Sequence, residues 1–251
     1  MPHTIQGFSR LTQILKQYWN DDQKLQQLHD EFIENTISNY YLPLGIAPNF
    51  IINNKSFAIP MAIEESSVVA AASKAAKFWM SRGGFKAEIL GTEKIGQVHF
   101  TFSGDSKKIS AFFEDHKAQI IEDLKPHTES MERRGGGLKS LELINKTNAL
   151  EHYYQLHATF ETLDAMGANF INTCLEQIAE SWQRLYNEKA SFKSADQELV
   201  VIMSILSNYV PGCVVHAEVS CPVSELSEAD GIDPQLFANK FVQAVRIAEV
   251  E

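Results

Sequence analysis

The stretch Gln97–Leu124, QVHFTFSGDSKKISAFFEDHKAQIIEDL, changes its hydrophobic period part-way along. Val98, Phe100 and Phe102 alternate with His99 and Thr101, the period of two that marks a half-buried strand. From Ser106 the apolar residues Ile109, Phe112, Phe113, Ile120 and Ile121 fall within a helical segment. Downstream, Leu138 to Ile144 and His152 to Phe160 alternate again. Phe170 to Tyr186 is helical, with Ile171, Leu175, Ile178, Trp182 and Leu185 on one stripe, and Val200 to Leu206 reads as extended. The order is strand, helix, strand, strand, helix, strand, which is the split βαβ, ferredoxin-like order. The expected fold class is therefore α+β. A large mixed helical and β domain, residues 1–88 and 198–251, carries an inserted small domain over residues 89–197. The Gly83-Gly84 turn and the polar segment Asn187–Glu198 bound that insertion.

Upstream, Ser9 to Phe32 reads as two helices. Leu11, Ile14, Leu15 and Tyr18 share one face, Leu25, Leu28 and Phe32 repeat the spacing, and Asn20-Asp21-Asp22 breaks them with capping residues. Tyr40 to Pro48 reads as an irregular loop. Phe50–Ile52, Asn53-Asn54-Lys55 and Phe57–Met61 read as a β-hairpin with a polar turn. A helix follows and ends at Arg82-Gly83-Gly84, where glycine takes the left-handed cap conformation readily. Near the end of the sequence Val214 to Ser220 alternates as a strand. Asp233-Pro234 then opens a last helix, with Phe237, Phe241, Val242, Val245 and Ile247 expected as its buried side.

Bulk properties exclude several classes. The 251 residues are 44% hydrophobic and 22% charged, an ordinary globular balance. The formal net charge of -10 and the lack of a basic patch argue against nucleic acid and anionic membranes as partners. No apolar run approaches the roughly 20 residues that span a bilayer, and MPHTIQGFSRLTQ has no apolar signal core. Cys174, Cys213 and Cys221 are odd in number and lack the spacing of a zinc site. Reduced thiols in a soluble cytoplasmic protein are expected. The eight histidines form no ligand cluster, so no metal is expected.

Three stretches carry potential chemistry. In Ala58–Ser73, AIPMAIEESSVVAAAS, Glu64 and Glu65 stand among apolar residues. They suit the positive end of a helix dipole. Enclosed by those neighbours, one of them would hold a proton near neutral pH and serve as a general acid. Asp164-Ala165-Met166-Gly167-Ala168-Asn169 lies between a strand and a helix, either as a plain cap or as a cradle for a pyrophosphate. Glu132-Arg133-Arg134-Gly135-Gly136-Gly137 is a flexible turn whose two arginines could also clamp a phosphate.

Two of these stretches, with Glu34-Asn35 and Leu42-Pro43-Leu44-Gly45 ahead of them, resemble 3-hydroxy-3-methylglutaryl-coenzyme A reductase, most closely its soluble bacterial class II, degradative type. The resemblance spans essentially the whole chain. It implies an NAD(P)H-dependent oxidoreductase interconverting 3-hydroxy-3-methylglutaryl-coenzyme A and mevalonate plus coenzyme A by two hydride transfers. It makes the small domain the dinucleotide-binding one and Glu65 the catalytic acid. It gives Glu34 and Asn35 to substrate, although Ser38 replaces the family's glycine. Asp164, Met166, Gly167 and Asn169 become cofactor contacts, joined by Asn208 at the end of the Val200–Leu206 strand. Members that use NAD place an acid shortly upstream of the arginine-glycine turn. Here Thr128 stands at that place, which with Arg133 and Arg134 favours NADPH over NADH. The family is dimeric, so a homo-oligomer is implied.

The family also uses a lysine in a His-Asn-Lys-Gly stretch, an aspartate in Gly-Asn-Asp, and a histidine further on. None of these motifs occurs in residues 1–251. The expectation is a portion of the enzyme, inactive by itself. The alternative is a non-catalytic nucleotide- or coenzyme-A-binding subunit that completes its site with another chain.

Overall fold

The structure, a computed structural model, describes residues 8–193, 198–226, 231 and 233–250. Its elements confirm the mixed α+β class. The chain divides into two compact units, one within Met1–Ala87 and Ala217–Glu251, the other Glu88–His216.

In the first unit, α1 (Phe8–Lys16) and α2 (Gln23–Asp30) flank the Asn20-Asp21-Asp22 break. The Asp22 side chain caps α2 by accepting from the amides of Lys24 and Leu25. Strands β1 (Leu44–Ile52) and β2 (Lys55–Ala62) form the expected hairpin. Its two-residue turn puts Asn53 at φ +48° and Asn54 at φ +64°, the left-handed pair that matches strand twist. β1 begins six residues before Phe50, inside the segment read as a loop. Pro48 is accommodated because the ladder is irregular between Ala47 and Phe50. Helix α3 (Val68–Met80) packs on β1, where a Cβ on Gly45 would lie 3.2 Å from Val69. The Trp79 carbonyl closes its C-terminus by accepting from the amides of Arg82 and Gly84.

The second unit is built on β3, which runs over Lys86–Phe102 from the first unit into the second. After it come α4 (Ser106–Glu132), β4 (Gly137–Asn145), β5 (Tyr153–Glu161), α5 (Ala168–Lys189) and β6 (Leu199–Leu206). The sheet order is β4-β5-β3-β6 with antiparallel neighbours, and β7 (Cys213–Glu218) also pairs with β3. These pairings extend the unit to His216, past the boundary expected at residue 197. That boundary itself lies outside the described residues.

Alternation delivers Val98, Phe100, Phe102, Tyr154, Leu156, Ala158 and Phe160 to one buried core. There α4 contributes Ile109, Phe113 and Ile120, while α5 contributes Ile171, Leu175, Ile178 and Trp182. Each buried Val, Leu, Ile or Phe among them gains about 1.5–3 kcal/mol by leaving water. The opposite sheet face holds half-buried His99, Tyr153, Gln155 and His157. The Gln155 amide donates to the Tyr153 hydroxyl (2.5 Å), which lies 2.6 Å from His99 Nδ1.

α6 (Pro234–Val250) is capped as expected, the Asp233 carboxylate accepting from the Leu236 amide. Its apolar side differs from expectation. Phe237, Phe241, Val242, Val245 and Ile247 are exposed, since within this chain α6 packs chiefly on the single 3-10 turn Val223–Glu225.

Candidate functional site

Strand register gathers most of the expected cofactor residues at one end of the second unit's sheet. Glu161, the last residue of β5, pairs with Glu93 on one side and with Gly137 on the other. The turn that ends α4 and enters β4 therefore lies beside the turn that leaves β5. The first carries Arg133 and Arg134, the second Asp164 to Asn169. On β3's other side Gly96 pairs with Leu206, and the Ser207 amide donates to the Ile95 carbonyl (2.8 Å). Asn208 thus belongs to the same end. The Leu206 amide donates to Asn172 Oδ1 on α5 (2.9 Å), tying the strand to the N-terminal part of that helix.

The Asp164 turn is built for close backbone approach. Gly167 has φ +79°, and a Cβ there would lie 2.5 Å from Thr162 Cγ2, so only glycine fits without strain. Gly167, not Asp164, is the N-cap of α5, and no side chain caps that end. The plain cap that Asp164 could have provided is thus not made. First-turn amides without a side-chain acceptor, at the positive end of a 22-residue helix, suit an anion. Asp164, Met166 and Asn169 are exposed around the turn.

The polar contacts that brace this turn were not visible in the sequence. The Thr92 hydroxyl donates to Glu161, whose other oxygen accepts from the Leu163 amide (2.7 Å). The Thr92 hydrogen bond foremost, then the Leu163 amide and the charges of Lys94 and Lys139, hold the Glu161 carboxyl below the usual range against its partial burial. Lys94 Nζ donates to Thr162 Oγ1 (2.6 Å) and to the Ala165 carbonyl (3.2 Å). Contacts spanning about 70 residues of sequence leave no local signal; only strand pairing brings them together.

Arg133 caps α4 and is exposed. Arg134 donates to the Ser130 carbonyl (3.2 Å). Thr128 faces the core and is 2% exposed, because α4 continues through Pro126 to Glu132. Its hydroxyl is turned away from solvent toward the Lys125 carbonyl, while its neighbours His127 and Glu129 are exposed.

In the first unit, Glu34 and Asn35 form an exposed turn, with Asn35 at φ +57°. Glu64 and Glu65 lie between β2 and α3, ahead of the helix instead of on its first turn. Both are exposed, so the enclosure expected for Glu65 is not present in the single chain. The cause is local: β2 ends at Ala62, and Ser67 at φ +72° starts the helix from a turn that displays its side chains outward. The cysteines are unpaired, and burial pushes the Cys174 thiol up to about 12. Among the described residues no group of three or more histidine, cysteine or acidic side chains could hold a metal. Nor is any described helix long and apolar enough to cross a membrane.

This is a two-unit α+β chain with glycine-bearing turns gathered beside an open helix N-terminus. Residues 7–251 match the hydroxymethylglutaryl-coenzyme A reductase family, and the chain belongs to that family. A 3-hydroxy-3-methylglutaryl-coenzyme A reductase of Archaeoglobus fulgidus is 38% identical over 162 residues, 64% of this chain and 37% of the relative. A probable one of Borreliella burgdorferi is 36% identical over 160 residues, 61% of this chain and 35% of the relative. The chain spans just over a third of the length of these two relatives. The fold is similar to the class II enzyme of Streptococcus pneumoniae bound to NADPH. The TM-score is 0.75 at 26% identity, covering 99% of this chain and 68% of that one.

Proposed function

We propose that this chain works in the reduction of 3-hydroxy-3-methylglutaryl-coenzyme A to mevalonate and coenzyme A, or in the reverse reaction, with NADPH as hydride carrier. The observation that carries the reading is the convergence of the Asp164–Asn169 turn, Arg133, Arg134 and Asn208 at one sheet end of the second unit. In this reading that unit is a ferredoxin-like dinucleotide-binding domain. The pyrophosphate lies against the Gly167 turn and the α5 amides. Arg133 takes the 2′-phosphate, a role supported by its exposure and by the inward-facing Thr128. A class II assignment accords with the fold similarity, while the degradative type rests on the sequence resemblance alone.

Glu34 and Asn35 would hold the acyl substrate, and Glu65 would donate the proton to the carbonyl oxygen as hydride arrives. That proton transfer needs Glu65 shut away from water, which a second copy of the chain would supply. The exposed apolar side chains of α6 support such a homo-oligomer, and the unpaired cysteines accord with a cytoplasmic setting. The family's lysine, aspartate and histidine motifs are absent from residues 1–251. Since oxyanion stabilisation is usually the largest catalytic term, these residues by themselves should show no turnover. Adding a polypeptide that bears those motifs should restore it. Glu65→Gln should then lower the rate about 10²–10⁴-fold, the usual worth of a general acid, with NADPH affinity retained. Mevalonate formation by the isolated chain, or full rate with Glu65→Gln, would contradict the proposal. NADPH binding without rescue would favour the non-catalytic subunit instead.

A further inference from the structure

We propose that Lys94 is a positioning residue for the Thr162–Gly167 turn, setting the shape in which that turn receives the dinucleotide. The inference rests on the reading of that turn as the cofactor site. Two hydrogen bonds carry it: Lys94 Nζ to Thr162 Oγ1 (2.6 Å) and to the Ala165 carbonyl (3.2 Å). The Thr162 hydroxyl itself donates to the same Ala165 carbonyl (2.7 Å), and the Ala165 amide donates back to the Thr162 carbonyl (3.1 Å). The ammonium thus closes a ring around the residues that precede Gly167. Thr162 is 1% exposed, so at its hydroxyl there is little water to replace a lost partner, whereas the Ala165 side of the ring is open to solvent.

Strand register explains how Lys94 reaches the turn. It pairs with core-facing Phe160, so it lies on the helix-bearing face of the sheet. Two residues along the same face, Gly96 lies so close to α5 that a Cβ would come within 2.5 Å of Leu175 and 3.0 Å of Ile171. Lys94 therefore stands one step beyond this close helix–sheet approach, toward the end where α5 begins. Thr162 is also the side chain that a Cβ on Gly167 would strike first. Holding Thr162 and leaving room for the left-handed Gly167 are two sides of one arrangement. Glu161 braces the other side, through Thr92 and the Leu163 amide. Both hydrogen bonds of Lys94 are made to the turn itself, so the role inferred for it is the turn's shape, and the salt dependence of binding separates that role from a direct grip on phosphate by its third donor.

The test uses the chain of residues 1–251 in two measurements. In the first, without ligand, amide hydrogen exchange is followed at Leu163–Gly167. Lys94→Met keeps the aliphatic stem and removes the tether, and exchange there should speed up about tenfold or more while the α4 and α5 core keeps its protection. In the second, NADPH titration should show affinity about tenfold or more weaker for Lys94→Met, which removes both charged hydrogen bonds, with an unchanged salt dependence. Lys94→Arg should recover part of the loss. Thr162→Val removes the tether from the other partner, so combining it with Lys94→Met should add little to either change alone. It also serves if Lys94→Met does not fold. Unchanged exchange and affinity would overturn the proposal. So would lost affinity with a shallower salt dependence and unchanged exchange, which marks a direct phosphate contact. If the unaltered chain does not bind NADPH at all, the cofactor reading fails first; the exchange measurement then still decides whether Lys94 shapes the turn.

Discussion

At Gly167 the backbone conformation and the neighbouring side chain impose the same requirement. Gly167→Ala places a Cβ in the left-handed region and within 2.5 Å of Thr162 Cγ2. The cost is about 1–3 kcal/mol of local strain, and the turn should relieve it by shifting. A fall in NADPH affinity larger than the fall in unfolding free energy checks this; equal affinity would separate the turn from the cofactor. Titrating residues set a second expectation. Glu161 has a folded-state pKa below its unfolded value, so the unfolded chain binds more protons and stability rises with pH. Its contribution is present above the ordinary carboxyl range and is lost as pH falls through the lower folded value. Burial also lowers His99 and His157 below the usual imidazole value, Glu142 opposing at His157. Their neutral forms are favoured when folded, so their contribution is lost as pH falls below about 6.5. Denaturant midpoints should therefore decline in two stages on acidification, near-neutral for the histidines and acidic for Glu161. His99→Gln should diminish the first stage. Residue identity announced the Asp164 turn because glycine and acid stand in one short motif. Lys94, Thr92 and Glu161 stayed hidden because only pairing of β3 with β5 makes them neighbours.

Element boundaries followed periodicity wherever a segment buries one face. The second half of β3, α4, β5 and α5 share a single core, and their alternation or helical stripe reads directly from the sequence, whereas β3 begins at Lys86, eleven residues before the alternation read at Gln97. Local rules failed where packing overrides them. Pro126 lies inside α4, which continues to Glu132 because Leu124, Thr128 and Met131 remain buried on the same face. Pro48 similarly lies inside β1, beside the irregularity in its ladder. The Asn53-Asn54 turn shows how two identical residues carry different loads. Asn53 donates from Nδ2 to the Ala87 carbonyl and accepts from the Ala87 amide, both at 2.9 Å, bracing the hairpin. Asn54 only needs a positive φ. Asn54→Gly should change stability by less than about 1 kcal/mol, whereas Asn53→Gly should cost about 1–3 kcal/mol through two lost hydrogen bonds. Thermal unfolding of the two variants checks the asymmetry, and equal effects would contradict it.

The two units differ in how far the chain alone completes them. Glu88–His216 encloses a full core, with Trp182 packed among Phe100, Phe112 and Phe113. In the other unit every apolar residue expected beneath α6 is exposed, along with Glu65. Sequence periodicity reports that a face wants burial but not which polypeptide buries it, which is why the core of the second unit was legible and the environment of Glu65 was not. The family follows from the match over residues 7–251. The site depends on what the second unit does with a dinucleotide. Hydrogen exchange of residues 1–251 with and without saturating NADPH addresses that directly. The account predicts added protection at Leu163–Asn172 and at Arg133–Gly137, stronger with NADPH than with NADH, and none along β7. Protection confined to other segments, or no change at either turn, would contradict it.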